Sequence, residues 1–478
     1  MEKLKVGLVG SSQLSFPGDK TGRFARSADE MREFAECFGF DLYVYPETII
    51  AEPDAERAVK AVEGEAVDFL LLQTTSYSAG HLIPHFARAK VMALGLWAIP
   101  EGTKDGVMPL NSFCSVNMYS GIIGHYVAPF DLPFKWFFGD KGSPFLDERL
   151  RVSIAALTCI KRLKASKLAL VGGVAPGFND LLYDESKLLK MFEGMKLNRL
   201  HEFGELRDRA MSFTDGEIGA TVESMVSRAR CIHPKAAAKI GINARFYKAF
   251  GEFAEENGYD ALAISCWPAF GDQFDFSPCA LLGQLNEEGV AAACEGDLVS
   301  AVCMLMLRYL AEDVTTLMDL VNFDETDETI LLWHCGPTAK QFCAGFDLDL
   351  NYSGRPHEKG MIDPNGNGVV RQMVFKPGKA TVARLDAGLE KMLLMTGDFI
   401  DRDKPSHKGS RGWLENVHLS GEKISVRDLV NTVLTSRFPH HYPVVMGDFT
   451  KEIAEICAWM GLGQIEKIPY RDFMQNRP

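Results

Sequence analysis

The first half of the chain alternates short apolar runs with longer amphipathic stretches. Nearly continuous apolar runs such as KVGLVGS and DFLLLQTT indicate strands of a parallel sheet that is covered on both faces. Stretches such as SADEMREFAECFG have a helical period and end in glycine, a common C-cap. The pattern predicts one α/β domain over residues 1–150 and a second over residues 151–312.

The pattern changes near residue 312. Downstream, NGVVRQMVFKPGKATVARLDAG is typical of antiparallel strands separated by Gly and Pro turns. The chain closes with the helical pattern DFTKEIAEICAWMG. We therefore predict a β-rich third domain over residues 313–478.

Composition agrees with an ordinary globular protein. The 478 residues are 46% hydrophobic and 24% charged, and this length suggests about three domains. A net charge of -13 argues against a nucleic-acid surface, which needs basic residues. Neither a signal peptide nor a membrane span is visible, and the 11 cysteines lie mostly in apolar runs. We expect a cytoplasmic protein with reduced thiols.

Polar residues that follow apolar runs are the first candidates for a site, because ligands bind at the carboxyl ends of strands in open α/β sheets. The glycines of VGGVAPGF do not match the dinucleotide fingerprint GxGxxG, and no Lys-Ser/Thr pair follows them. A turn that ends a strand explains them better than a nucleotide site.

A metal site has better support. Glu295, Asp319, His334 and one of His440 and His441 each stand at the edge of an apolar segment. Carboxylates and imidazoles form a mixed O/N set suited to Mn²⁺, Mg²⁺ or Co²⁺. Taken one at a time, each residue also has an ordinary structural explanation: a hydrogen-bonded histidine, a cap, or a surface turn before Pro443.

Four segments in order, CEGDL, MDLVNFD, LLWHCGPT and FPHHYPVVMGD, resemble those of the L-fucose isomerase and L-arabinose isomerase superfamily of metal-dependent aldose-ketose isomerases. The resemblance covers most of the chain. It implies an α/β fold with two Rossmann-like parallel-sheet domains and a C-terminal domain that contains a small antiparallel β-barrel. It also implies a homo-oligomer, a trimer or hexamer, with active sites near subunit interfaces.

The resemblance implies roles for individual residues. Glu295 and Asp319 would bind the metal and act as the two catalytic carboxylates, passing through a cis-enediol. His334 would be a metal ligand, as in the arabinose enzymes, and His441, or alternatively His440, would be another. The expected ion is Mn²⁺, with Mg²⁺ or Co²⁺ as alternatives and no nucleotide. Asp297 is expected to cap the following helix.

Substrate contacts can also be proposed. Gln13 lies in a loop, GSSQLSFPGD, that resembles the one reaching a neighbouring subunit's active site. The segment CWPAFGDQ offers an apolar wall, Trp267 and Phe270, and a polar contact, Gln273, although core packing explains Trp267 equally well. Lys408 and Arg411 would suit an anionic substrate, or else belong to a solvated surface loop.

The sequence leaves alternatives open for both the substrate and the class of function. A neutral pentose or hexose such as L-arabinose or L-fucose fits the isomerase interpretation, and so does an anionic sugar such as sulfoquinovose. A non-catalytic sugar-binding protein could keep the polar strand ends, but it has no use for carboxylates and histidines that converge on a metal. An oxidoreductase is disfavoured by the missing glycine fingerprint.

Overall fold

The computed structural model describes residues 3–16, 22–126, 133–200, 202–227, 229–345, 348–352 and 368–475. The chain divides into two compact units, Met1–Lys161 and Arg162–Pro478. In the described part of the chain, no helix combines the length and the apolar character needed to cross a membrane.

The first unit contains a five-stranded parallel sheet in the doubly wound order β2-β1-β3-β4-β5. Its strands are β1 Lys5–Ser11, β2 Asp41–Val44, β3 Phe69–Thr74, β4 Ala93–Ala98 and β5 Phe134–Phe138. Its helices are α1 Arg23–Phe38, α2 Glu52–Gly64, α3 Ile83–Phe86, α4 Ser112–Tyr126 and α5 Pro144–Ala165, the last of which continues into the second unit. Strands β3 and β4 are buried at every position, as their continuous apolar runs predict.

The second unit contains the remaining elements. Its strands are β6 Lys167–Val171, β7 Lys196–Leu200, β8 Ala229–Ile232, β9 Ala261–Ile264, β10 Ala291–Ala293, β11 Thr315–Asp324, β12 Thr329–His334, β13 Leu348–Tyr352, β14 Gly368–Val374, β15 Gly378–Leu385, β16 Lys391–Phe399, β17 Ser410–Leu419, β18 Glu422–Lys423, β19 His441–Met446 and β20 Gly463–Gln464. Its helices are α6 Glu185–Met191, α7 Gly204–Ser212, α8 Asp215–Ser227, α9 Pro234–Ala237, α10 Ile240–Asn257, α11 Ala269–Phe274, α12 Cys279–Glu288, α13 Leu298–Ala311, α14 Val426–Ser436 and α15 Thr450–Met460.

Two sheets organise this unit. The first is parallel, with the order β10-β9-β6-β7. The second closes on itself, because β16 pairs with both β15 and β17. The closed ring is antiparallel throughout and runs β16-β15-β19-β11-β12-β17. Apolar side chains of the barrel strands, such as Val382, Leu393, Leu414 and Val444, belong to one hydrophobic core cluster.

The predicted fold class is confirmed: two parallel sheets are followed by a small antiparallel β-barrel. Several helix ends also follow the sequence signals. Gly39, Gly258 and Gly461 take the left-handed conformation directly after α1, α10 and α15, where a side chain would be strained. The domain boundaries at residues 150 and 312 stay predictions.

Candidate active site

Neighbouring barrel strands bring three of the predicted residues together. Asp319 on β11 pairs with His441 on β19 on one side and with Trp333 on β12 on the other. His334, the last residue of β12, follows Trp333. Barrel register therefore places residues that are far apart in sequence at one end of the barrel.

Glu295 comes from the parallel sheet. It follows β10 and has φ 59°, a left-handed conformation that is rare for a residue with a side chain. The next residue, Gly296, has φ 72°, and a Cβ there would collide with the carbonyl oxygen of Gly173. The backbone N–H of Ala175 donates to the Glu295 carbonyl over 2.9 Å. This strained, tightly packed turn fixes where the carboxylate points.

His441 is the central side chain of the cluster. Its Nδ1 lies 3.0 Å from Oδ2 of Asp297, and because a carboxylate only accepts, Nδ1 carries the proton. Its Nε2 lies 3.4 Å from Oε2 of Glu295 and 3.7 Å from Oδ1 of Asp319. Both of these carboxylate oxygens are buried without a hydrogen-bond partner in the described residues.

Asp297 caps α13, as predicted from the sequence, by accepting from the backbone N–H of Ser300 over 2.9 Å. It also receives a hydrogen bond of 3.0 Å from Arg384 of β15, and both side chains are fully buried. Burial raises the pKa of Asp297, but Arg384 and His441 outweigh it and hold the pKa well below its ordinary value. Asp297 is therefore an ionised residue that holds the His441 ring as well as the helix.

His334 faces a different partner. Its Nδ1 accepts the backbone N–H of Cys335 over 2.8 Å, so the proton of the neutral ring is on Nε2. That nitrogen lies 3.1 Å from Sγ of Cys294. A hydrogen bond that the Cys294 thiol donates to Cys266, together with burial, keeps the pKa of this thiol well above its ordinary value. Nε2 of His334 thus faces sulfur, and ligand atoms of Cys294, His334 and His441 lie within 4.8 Å of one another. The predicted ligand role of His334 stays a prediction.

His440 lies at the more open side of the cluster. Its Nε2 is 3.4 Å from Oε2 of Glu295, and its Nδ1 is 2.7 Å from Oδ2 of Asp180. Phe178 stacks on its ring with centroids 5.6 Å apart. Trp267, which is 40% exposed, makes an edge contact with Phe178. An aromatic rim therefore borders the carboxylate.

The contacts between carboxylates and histidines shift the pKa values of Glu295 and His440. Burial raises the pKa of Glu295, but His440, His441 and His334 outweigh it and lower the pKa below its ordinary value. Burial lowers the pKa of His440, but Glu295 and Asp180 outweigh it and raise the pKa to about 9. Glu295 is therefore held as a carboxylate.

The other predicted sugar contacts fall in different places. Gln13 follows β1 in the first unit, and its Oε1 is buried without a hydrogen-bond partner in the described part of the chain. Phe270 is fully buried and packs against Phe203 and other aromatic rings, so it belongs to the core. Gln273 is exposed on α11.

The loop before β17 carries the two predicted cations. The carbonyl of Lys408 accepts from Nε1 of Trp333 over 2.6 Å, and the lysine is exposed. The guanidinium of Arg411 donates to the carbonyl of Gly409 and to the hydroxyl of Ser406, over 2.9 and 2.8 Å. Arg411 thus holds the loop in shape, and the contact of Lys408 with a substrate stays a prediction.

Sequence reasoning missed three residues of the cluster: Asp180, Cys294 and Arg384. Asp180 follows β6 and lies just after VGGVAPGF, whose pattern indicates only a turn that ends a strand. Arg384 had a usable signal, since a single arginine within the apolar strand KATVARL implies a buried charge that needs a partner. Cys294 had no distinguishing signal among 11 cysteines.

The donor set fits a hard divalent cation. Two unpartnered carboxylate oxygens surround one imidazole nitrogen whose other nitrogen is held by a carboxylate, an arrangement frequent around metal-binding histidines. Ligand atoms of Glu295, His440 and His441 lie within 4.8 Å of one another. These three residues form one candidate group for an ion, and Oδ1 of Asp319 lies 3.7 Å from Nε2 of His441 beside them.

Known proteins similar to this chain are isomerases. Over 427 residues it is 24% identical to the sulfoquinovose isomerase of Priestia aryabhattai, covering 88% of this chain and 90% of that protein. It is 24% identical over 424 residues to the enzyme of the same name from Alkalicoccus urumqiensis, covering 88% and 91%. For the one from Clostridium sp. (strain MSTE9), identity is 26% over 372 residues, covering 77% and 79%. The chain is an aldose-ketose isomerase.

The predicted enzyme class is therefore confirmed, whereas membership of the fucose and arabinose isomerase superfamily stays a prediction. No family model matches the chain. Among solved structures, an ABC transporter solute-binding protein from Burkholderia multivorans is 16% identical and covers 66% of this chain and 95% of its own, with a TM-score of 0.16. A likeness of that size carries no argument about fold or function.

Proposed function

We propose that the chain interconverts an anionic aldose and its ketose at the cluster of Glu295, Asp319 and His441. The observation that carries the proposal is the pair of buried, unpartnered carboxylate oxygens beside Nε2 of His441. Moving hydrogen between C1 and C2 of an open-chain sugar needs two groups that accept and return protons. Two carboxylates on different elements would supply them.

A divalent cation, Mn²⁺ in the first instance, would be held by Glu295, Asp319 and His441. When bound, it would polarise the sugar carbonyl as a Lewis acid and orient the two reacting carbons. Asp297 serves this group indirectly, because its bond to Nδ1 holds the His441 ring with Nε2 toward the two carboxylates. We do not assign a ligand role to His334, whose Nε2 faces Cys294.

The two carboxylates divide the proton transfers. One takes the proton from C2 and returns it to C1 through a cis-enediol, and the other serves the hydroxyl protons. Glu295 suits either task, since its turn is rigid and its side chain is only 11% exposed. Limited contact with water strengthens the electrostatic interactions of both carboxylates with the sugar.

The proposal of an anionic substrate is supported by the relatives, whose names specify sulfoquinovose. A sulfonate needs a cation within reach. Lys408 is exposed, and its backbone is bonded to Trp333, the neighbour of His334. We therefore propose Lys408 as the sulfonate contact.

The test is a panel of aldoses, including sulfoquinovose, D-glucose, L-arabinose and L-fucose, assayed for ketose formation with Mn²⁺ and with chelator. We expect turnover of sulfoquinovose that depends on the metal, and elemental analysis should find the ion bound. Glu295→Gln keeps the size of the side chain but removes its basicity, so activity should fall by at least the roughly 10² to 10⁴-fold of one acid-base group. Full activity in that variant would overturn the proposal.

The contact with the anion has its own test. Lys408→Ala should raise KM for sulfoquinovose and leave the KM of any uncharged sugar that is turned over unchanged. Lys423→Ala, an exposed lysine on β18, is the matched control. An equal change for charged and uncharged sugars would show that Lys408 does not bind the sulfonate.

A further inference from the structure

The loop that follows β6 is fastened to the turn that carries Glu295. Ala175 donates its backbone N–H to the Glu295 carbonyl, and Gly296 packs so closely on the carbonyl of Gly173 that no side chain fits between them. The loop and the carboxylate therefore keep a fixed relation to each other. Side chains of this loop therefore lie at fixed positions relative to Glu295.

The loop carries Asp180, and Asp180 holds His440. Its Oδ2 accepts two hydrogen bonds from that residue, one from the backbone N–H over 3.1 Å and one from the ring Nδ1 over 2.7 Å. Phe178, from the same loop, stacks on the ring. With Nδ1 committed to Asp180, Nε2 is the ring nitrogen that remains, and it points at Oε2 of Glu295 from 3.4 Å.

Exposure separates His440 from the rest of the cluster. The side chain of His441 is 1% exposed and that of Glu295 is 11% exposed, whereas His440 is 38% exposed. A molecule that approaches Glu295 from solvent can meet His440 beside it. Oε2 of Glu295 lies 3.4 Å from Nε2 of His440 and is buried without a hydrogen-bond partner in the described residues.

We propose that Asp180 is a positioning residue that holds His440, and that His440 contacts a sugar hydroxyl through Nε2 next to Glu295. The inference rests on the proposed function, because it needs the sugar to react at Glu295. It adds Asp180 to the site and gives His440 a contact with the sugar. His440 then acts on the sugar and is not a ligand of the metal.

Kinetics of four variants test this. Asp180→Ala should lower kcat about 10 to 100-fold, the usual effect of losing a partner that orients a functional histidine, with little change in KM. Asp180→Asn keeps an oxygen that can accept from both donors, so it should recover most of the loss. His440→Ala should lower kcat at least as much as Asp180→Ala. Asn179→Ala, an exposed neighbour in the same turn, is the matched control.

A double mutant separates positioning from a general structural role. If Asp180 acts through His440, Asp180→Ala in the His440→Ala background should cost nothing more. Independent, multiplying losses would overturn the proposal. Calorimetry of Mn²⁺ binding gives a second test. A lower Mn²⁺ affinity in Asp180→Ala or His440→Ala would also overturn the proposal, because it would show that His440 is a metal ligand.

One readout does not use activity. In metal-free protein labelled with ¹⁵N-histidine, the His440 resonances should show a proton on Nδ1 bonded to a carboxylate, and Asp180→Ala should shift them while the melting temperature stays the same. Unshifted resonances would refute the positioning role. If Glu295→Gln is inactive and the Asp180 variants are fully active, this inference fails and the proposed function stands; an active Glu295→Gln removes both.

Discussion

At the scale of single residues, the two histidines that were predicted as ligands differ in which nitrogen is available. His441 has its proton fixed on Nδ1 by Asp297, and His334 has its Nδ1 occupied by the N–H of Cys335. Nε2 of His441 therefore faces the carboxylates of Glu295 and Asp319, whereas Nε2 of His334 faces the sulfur of Cys294. The difference depends on hydrogen bonds and not on residue type.

Replacing each histidine in turn tests the difference. His441→Asn should weaken Mn²⁺ binding by more than the roughly 10 to 100-fold that loss of an outer partner costs, because it removes a proposed ligand. His334→Asn should leave the affinity close to that of the wild type. Titration of the metal-free protein, followed by the electron paramagnetic resonance of free Mn²⁺, measures both, and equal losses would contradict our assignment.

The buried charge pair of Asp297 and Arg384 makes a second prediction. Asp297→Asn still offers an oxygen to the helix N-terminus but leaves a buried guanidinium without its counter-charge. Breaking such a pair typically costs about 3 to 5 kcal/mol of the free energy of unfolding, which urea titration would measure.

The control for this prediction removes both charges. The double variant Asp297→Asn with Arg384→Met should be more stable than Asp297→Asn alone, because no charge remains buried and unpaired. A double variant as unstable as the sum of both single variants would mean that the pairing contributes nothing.

The sequence singles out Glu295, Asp319 and the histidine pair because each stands at the edge of an apolar segment. It also predicted the capping role of Asp297 from its place before a helix. It could not predict that the same carboxylate meets His441 and Arg384, since those contacts depend on how β15 and β19 pack on α13. The tautomer of His334 depends on a single backbone N–H and leaves no trace in the sequence.

At the scale of elements, the hairpin of β11 and β12 is held at its turn by charged side chains. Lys404 lies 2.6 Å from Asp327 and 2.8 Å from Asp324, and Arg402 lies 3.0 Å from Asp327. Burial raises the pKa of Asp327, but hydrogen bonds from Lys404, Thr329 and Arg402 outweigh it and lower the pKa to about 2. The hairpin that positions Asp319 and His334 therefore has a turn that responds to pH.

The sign of that response can be stated. Because the pKa of Asp327 falls from 3.8 to about 2 on folding, its stabilisation is complete well above pH 3.8 and is lost as the pH falls toward 2. Asp327→Asn should therefore lose stability at pH 7, by about 1 kcal/mol or less because the side chains are partly exposed. Below about pH 4, urea titrations should show the same free energy of unfolding for Asp327→Asn and the wild type. A difference in the free energy of unfolding that stays constant with pH would show that the loss does not come from the charge of Asp327.

The sequence predicted strands but not their order or their register. Alternation and turns predicted strands after residue 312, and the resemblance supplied the barrel. The closing pair, β16 with β17, is a contact between strands of ordinary composition that the apolar pattern alone does not specify. Register in turn decides that Asp319 faces His441.

At the scale of the whole molecule, the proposed ligands come from two layers of the second unit. Glu295 follows the parallel sheet, while Asp319 and His441 belong to the barrel. An ion that bridges them would bind the folded state and not the unfolded chain. Metal binding and folding of this unit would therefore be linked.

Thermal unfolding measures that linkage. Mn²⁺ at about 100 times its dissociation constant should add about 2.7 kcal/mol to the free energy of unfolding and raise the melting temperature, and chelator should reverse the change. In Glu295→Gln the increase should shrink, since one ligand of the bridge is weakened. A melting temperature that ignores Mn²⁺ in the wild type would argue against a bridging ion.

The close approach of Gly296 to Gly173 also limits how this enzyme can change by mutation. Position 296 excludes every side chain because the Gly173 carbonyl fills the space, and position 173 disfavours side chains because its φ is 74°. Two glycines in different elements are thus constrained for two different reasons. Under the proposed function, substitutions at the rim, at Phe178, Trp267 and the Lys408 loop, would change the substrate range while the turn that presents Glu295 stays unchanged.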